Sequence, residues 1–360
     1  MDDNREPGVL KLIETLEDYC YSEILMCGHQ NAGHIGVTIT EKDGSTSDIK
    51  ELTGKQPAVV GIDTLSFGGY EGSFNETVKI VKNLNKQGVI ITLSSHMPNF
   101  SLGGPEDFFD FSSNETGGNV AARIMPGGDL NAKFRKFLDR IAEFCNECVD
   151  IEGGHIPMIF RPFHEDNGDW FWWGREYVSD EDFKALFRYT VGYLRFNKDV
   201  KNLAFAYSPN GPIKNEAEYM ARYPGDDCVD IMGLDLYHDR PSINQAFYKQ
   251  LGTSLNIIFE CAIEHGKVHA LTEVGIRVLD ASADGLYYEG IAPSGNKPAD
   301  WFTGLLNTLM QSEGGLRCAY LLFWANFSDT QFWVPYKGHE MADEFLRFAN
   351  DPHIKMAPVI

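Results

Sequence analysis

Eight short apolar runs recur along the chain, at residues 24–27, 58–62, 89–93, 157–160, 203–207, 229–234, 268–271 and 319–323. Each is continuous rather than alternating, as expected of strands covered on both faces. The segments between them carry a different period. Residues 73–87 place Val78, Ile80, Val81 and Leu84 at helical spacing, and 130–150 do the same with Phe134, Phe137, Leu138 and Ile141. Further helices are expected over 180–197, 242–265, 299–311 and 340–349, and helical spacing is weak over 47–52. Ahead of the first run, Val9, Leu12, Ile13 and Leu16 form one stripe, which predicts an N-terminal cap helix over about 7–20. Residues 97–129 show no clear period, and a stretch of that length is more often functional than idle.

Eight strand–helix units predict an α/β fold, a (β/α)₈ TIM barrel, with residues 1–360 as a single domain. A doubly wound sheet would open on a glycine-rich phosphate loop, and the chain has no G-x-G-x-x-G or P-loop sequence. In a barrel the functional groups gather where the strands end. His29, Asp63, His96, Arg161, His164, Glu165, Asp235, Tyr237, Glu273 and Trp324 all fall at or just past the predicted strand ends. The fold would bring them to one rim whatever their distance in sequence. The densest stretch is 161–174, RPFHEDNGDWFWWG, where Glu165 lies between a histidine and three tryptophans. Aromatic faces, charged partners for hydroxyls and a proton donor suit a carbohydrate.

Two carboxylates facing each other across such a rim suit glycoside hydrolysis, one protonated and one ionised. Partial desolvation beside His164 and the tryptophans favours the acid form of Glu165. Tyr237 is placed to hydrogen-bond Glu273 and hold it ionised. Trp170 and Trp324 are expected against the sugar, Trp172 and Trp173 in packing. His29 and Asp63 are read equally as supports or as contacts. A metal held by His29, His96 and Asp63 has no supporting spacing, and no metal or cofactor is expected. Cys145 and Cys148 form a C-x-x-C without a second pair, which reads as helix packing rather than half a zinc site.

Composition narrows the partners. A net charge of −21 argues against nucleic acid or an anionic membrane and fits a neutral substrate, or simply keeps the chain dispersed. No stretch of about 18 apolar residues marks a membrane span. The acidic first residues lack the apolar core of a signal peptide. The chain is therefore read as a secreted protein met without its leader, with the cytoplasm as the other compartment, and as a monomer. Asn75, Asn99, Asn114 and Asn326 begin N-x-[S/T] sequons.

The 161–174 stretch resembles the signature of glycoside hydrolase family 26, the β-mannanases. The resemblance runs through nearly the whole chain: Gly28-His29-Gln30, Val59 to Asp63, Leu93 to His96, Val229 to Asp235 with Tyr237, Thr272 to Gly275, and Phe323-Trp324. It implies a retaining barrel glycosidase with its acid/base at strand four and its nucleophile at strand seven, hence Glu165 and Glu273, with Tyr237 orienting the nucleophile. It also implies that His96, His164, Trp170 and Trp324 line the mannosyl subsite beside the cleaved bond. Arg161 is grouped with these and supports the carboxylates from behind. Mannan, glucomannan or galactomannan is the implied substrate, cut in endo fashion or by release of mannobiose. Other members act on β-1,3-xylan or mixed-linkage glucan, and a non-catalytic carbohydrate-binding barrel is the reading from another class. Some members carry Arg directly after the strand-eight Trp; here it is Ala325, which puts tight binding at that distal subsite in doubt. The segments 97–129 and 274–298 are expected as walls at one end of the cleft.

Overall fold

The computed structural model describes residues 5–105, 107–278 and 288–359. Strands β1 (Leu25–Gln30), β2 (Val59–Asp63), β3 (Ile90–Ser95), β4 (Met158–Pro162), β5 (Leu203–Tyr207), β6 (Ile231–Asp239), β7 (Val268–Arg277) and β8 (Tyr320–Phe323) pair in parallel, in sequence order. Closure comes from β1, which pairs with both β8 and β2. All eight expected strands are present, and the sheet is a closed (β/α)₈ barrel. A ninth strand, β9 (Ile354–Lys355), is too short for its sequence to reveal and lies against the start of β1.

The helices are α1 (Pro7–Ser22), α2 (Asp48–Thr53), α3 (Phe74–Asn85), α4 (Val120–Ile124), α5 (Asn131–Glu147), α6 (Asp180–Gly192), α7 (Glu216–Met220), α8 (Phe247–His265), α9 (Trp301–Gln311), α10 (Glu313–Leu316) and α11 (Ala342–Ala349). Helix α3 starts on a reciprocal cap, Ser73 with Glu76, which satisfies two otherwise orphaned amides. After β5, where the sequence shows no helical period, only the short helix α7 follows. Among the described residues no helix is long and apolar enough to cross a membrane.

Two apolar layers hold the barrel. Ile90, Ile159, Ala204, Ala206, Ile231, Val268, Ala270 and Leu322 fill the interior, and Val9, Leu12, Leu16 and Cys20 of α1 close its lower end. Each of these larger side chains contributes roughly 1.5–3 kcal/mol when fully buried. The alternate strand residues, such as Ile91, Phe160, Phe205 and Leu271, pack outward against the helices. Following the inward set upward along each strand leads from apolar to polar: Asp63, Ser94, Arg161, Ser208, Asp235 and Thr272. The interior core is thus the base on which the polar rim is built.

None of the described residues of 97–129 lines the pocket around Glu165 and Glu273. Phe100 packs edge-on against Phe134 and Phe137 of α5 and against Trp172. The Trp172 indole N–H donates to the Met97 carbonyl at 3.4 Å, and its amide to Ser113. The aromatic content that hid any period is what lets this segment brace the loop after β4. Residues 279–287 of the other expected wall lie outside the described residues. All seven cysteines are free and buried, Cys145 and Cys148 included. Of the four sequons, Asn99 and Asn326 are buried with their amides engaged by Glu115 and Asp48, whereas Asn75 and Asn114 are exposed.

Candidate active site

The cleft at the upper end of the barrel has a volume of about 310 Å³ and is lined by His96, His164, Glu165, Phe171, Tyr237, Glu273, Arg277, Glu289, Trp324, Gln331 and Trp333. One oxygen from each of Glu165, Asp235 and Glu273 lies within 4.8 Å of the others. Their partners differ. Arg161 sits beneath them, 1% exposed, with Nη1 donating to Asp235 Oδ2 at 2.7 Å and to Ser208 Oγ at 3.1 Å, and Nη2 to Glu273. Tyr237 Oη donates to the other Glu273 oxygen at 2.7 Å. Glu273 therefore accepts two hydrogen bonds, one of them from a cation.

Glu165 is held otherwise. It is half-buried, its backbone is left-handed at φ 53°, and its carboxylate accepts only the neutral Trp170 indole N–H, at 2.8 Å. Burial, and then the Glu273 charge nearby, push its carboxyl up to about 7. One guanidinium facing three carboxylates cannot neutralise them all. Glu165, with no ion-pair partner, is free to keep a proton. Asp235 is also held well above the usual carboxylate range, by burial and by the charges of Glu273 and Glu165, against the pull of Arg161.

Glu273 reaches the cleft through a backbone irregularity. Leu234 pairs with Leu271, but the next residue, Asp235, pairs with Glu273, so Thr272 is an extra residue in β7. Val268, Ala270 and Thr272 face inward, and plain alternation would turn Glu273 out toward the helices. The bulge re-aims it. Thr272 Oγ1, still inward, donates to Asp235 at 2.7 Å.

His96 forms the adjoining wall. Its Nδ1 lies 2.9 Å from Asp63 Oδ2, and Asp63 also accepts from Ser94 and the Leu65 amide. Burial works against a charged His96, but the Asp63 carboxylate outweighs it and holds the imidazole up at about 9. His164 meets His96 edge-on at 4.8 Å, and burial with Arg161 below keeps it neutral. Trp324 also stands edge-on to His96, at 5.9 Å.

Of the sequence-expected residues, His96, His164, Glu165, Tyr237, Glu273 and Trp324 line one cleft; the others are placed differently, and His29 does not reach it. Arg161 does not line the cleft, because its guanidinium is wholly enclosed by its acceptors; it acts from below. Trp170 stands on the rim, 38% exposed, and its indole N–H is turned to Glu165. Asp63 is a support beneath His96, and His29 is fully buried. Trp172 and Trp173 are packed inside. Ala325 is buried. Sequence reasoning missed Phe171, Gln331 and Trp333; Arg277 and Glu289 fall within the expected 274–298 wall but were not singled out. Arg277 pairs with Asp239 at 2.5 Å and lies over the Tyr237 ring at 5.0 Å. The length of β6 and β7 above the rim was the missing signal: their register continues to Asp239 and Arg277, beyond any apolar run.

Comparison with known proteins gives a consistent assignment. The model of glycosyl hydrolase family 26 matches residues 4–282. A mannan endo-1,4-beta-mannosidase of Bifidobacterium adolescentis is 35% identical over 350 residues, 92% of this chain; the chain spans only 33% of that relative's length. Among solved structures, a modular endo-beta-1,4-mannanase from Cellulomonas fimi superposes with a TM-score of 0.89 at 34% identity, covering 100% of this chain and 77% of that one. The catalytic domain of a Bacillus sp. JAMB-750 endo-beta-1,4-mannanase superposes with a TM-score of 0.90 at 36% identity, covering 99% and 93%.

Proposed function

Because this chain belongs to glycosyl hydrolase family 26, we propose that it is a retaining β-mannanase that cleaves β-1,4-mannosidic bonds by double displacement. The observation that carries this reading is the pair Glu165 and Glu273, within 4.8 Å of each other and oppositely equipped. Retaining pairs stand about 5–5.5 Å apart, whereas inverting pairs leave roughly 6.5–9.5 Å for a water. The names of the relatives support mannan as the substrate and endo cleavage as the mode.

In the first step a Glu273 oxygen bonds to the anomeric carbon as the glycosidic C–O bond breaks, and the Glu165 proton passes to the leaving oxygen. Arg161 and Tyr237 hold the Glu273 carboxylate aimed. In the second step Glu165, now a carboxylate, takes a proton from water. The resulting hydroxide equivalent attacks the anomeric carbon and frees Glu273. His96, His164 and Trp324 bound the sugar beside the broken bond, with Trp170 at its edge. None of these steps calls on a cofactor. A polysaccharide substrate supports an extracellular location, and a complete cleft on one chain supports a monomer.

The test is hydrolysis of mannohexaose followed by proton NMR and chromatography. The reading expects the β-anomer to appear first, in a mixed ladder of early products. Mannobiose as nearly the sole early product would move the reading to an exo mode. The α-anomer first, or cleavage of mixed-linkage glucan or β-1,3-xylan instead of mannan, would overturn it.

A further inference from the structure

Arg222, just past α7, is wholly buried and reaches back into the loop that carries Glu165. Its Nη1 donates to the Asp166 carbonyl, and its Nη2 to the carbonyls of Trp173 and Val178, both at 3.2 Å. Its Nε lies 3.3 Å from Asp166 Oδ2, and its guanidinium covers the Phe183 ring at 4.2 Å. One side chain thus ties the residue after Glu165 to the far end of the same loop. Asp166 is equally buried, and neither of its oxygens accepts a hydrogen bond; the Arg222 charge is what it faces.

A loop in this state needs such a tie. Phe163 and Glu165 both hold left-handed backbones, at φ 52° and 53°, which are costly for side chains of this size. Strain of this kind persists only where the surroundings over-determine it. The other restraints bear on neighbouring residues: the Glu165 amide on the Ser208 carbonyl at 2.8 Å, Asn167 on Asn210, and the Trp173 indole on the His164 carbonyl. Arg222 and the Trp173 indole both span the loop from its strained start, and of the two Arg222 reaches further, to Val178. A buried pair with imperfect hydrogen bonding is weak evidence for stability, and fixing one geometry is the alternative reason for keeping it.

We propose that Arg222 and Asp166 are a positioning pair that fixes the Glu165 carboxyl at the leaving oxygen. Neither touches substrate. The inference rests on the acid/base reading of Glu165. A misplaced acid penalises poor leaving groups and spares good ones, whereas a general loss of fold penalises both.

The test compares kcat/KM on mannohexaose with kcat/KM on dinitrophenyl β-mannobioside, whose leaving group needs no proton. Arg222→Met is expected to lose about 100-fold on mannohexaose, the scale of a misplacement near 1 Å, and less than about 5-fold on the aryl substrate. Arg222→Lys keeps the charge but cannot span three carbonyls, and should lose about 10-fold on mannohexaose alone. Should Arg222→Met fail to fold, the isosteric Asp166→Asn carries the same comparison, with a preferential loss of about 3- to 10-fold. Equal losses on the two substrates, or no loss, overturn the proposal. Glu165→Ala is the benchmark. If it shows the preferential loss and the Arg222 and Asp166 variants do not, positioning fails alone. If Glu165→Ala lacks it too, the acid/base reading fails and takes this inference with it.

Discussion

Glu165 and Glu273 reach one cleft from β4 and β7, and almost everything around them differs. Glu273 sits in a strand, is 4% exposed, and accepts from a buried guanidinium and a phenol. Glu165 sits in a loop with a left-handed backbone and accepts from one indole. The same functional group is thereby set to two tasks. Permanent charge is supplied to one carboxylate and withheld from the other, and the withheld one is pushed up to about 7 by burial and by its neighbour. The strand residue is also placed differently. A bulge at Thr272 aims Glu273 rigidly, whereas Glu165 depends on side chains that hold its loop.

The sharpest way to break this contrast is to remove each carboxylate. Glu273→Ala should lower kcat/KM by on the order of 10⁴-fold or more on both mannohexaose and dinitrophenyl β-mannobioside, since both need the nucleophile. Glu165→Ala should lose about 10²- to 10⁴-fold on mannohexaose and remain near the parent on the aryl substrate. Matching profiles for the two variants would erase the division of roles. Next in size is Tyr237→Phe. Losing a hydrogen bond to a charged group of about 1.5–3 kcal/mol predicts roughly a 10- to 100-fold drop on both substrates, read by the same kinetics.

A pH series sharpens the contrast further. The acid must be protonated, so kcat/KM on mannohexaose should fall as pH rises through about 7, while the aryl substrate shows no such limb. The smallest effect is on stability. The folded carboxyl titrates at about 7 against an ordinary 4.5, so the folded state holds the extra proton between those values and loses that advantage as pH rises through 7. Glu165→Gln should therefore melt slightly above the parent at pH 8 and lose that margin toward pH 5. A margin that grows toward low pH would contradict the assignment.

Much of this was legible in the sequence, for identifiable reasons. Buried parallel strands must be apolar throughout, so eight runs declared a barrel, and the polar residues ending them marked its rim. Glu165 stands in a stretch that sets an Arg, a His and a carboxylate at a strand end, which packing alone would not require. Other features left no trace in composition. The Thr272 bulge is a matter of register, and strict alternation from Val268 would have turned Glu273 away. Arg222 follows the short helix α7 after β5, and its importance lies wholly in the carbonyls it reaches. Residues 97–129 lacked a period because the placement of their aromatics follows α5 and Trp172, onto which they pack, and not a helix or strand of their own. Short β9 pairs with the start of β1, where β2 has not yet begun to pair.

The central claim is that Glu273, and not Glu165, bonds to the sugar. Incubating the protein with a dinitrophenyl mannobioside fluorinated to slow release of the intermediate, then mapping the peptides by mass spectrometry, tests it directly. The account predicts one glycosyl adduct, on the β7 peptide at Glu273. An adduct at Glu165, or turnover of the substrate with no adduct at any time, would contradict it.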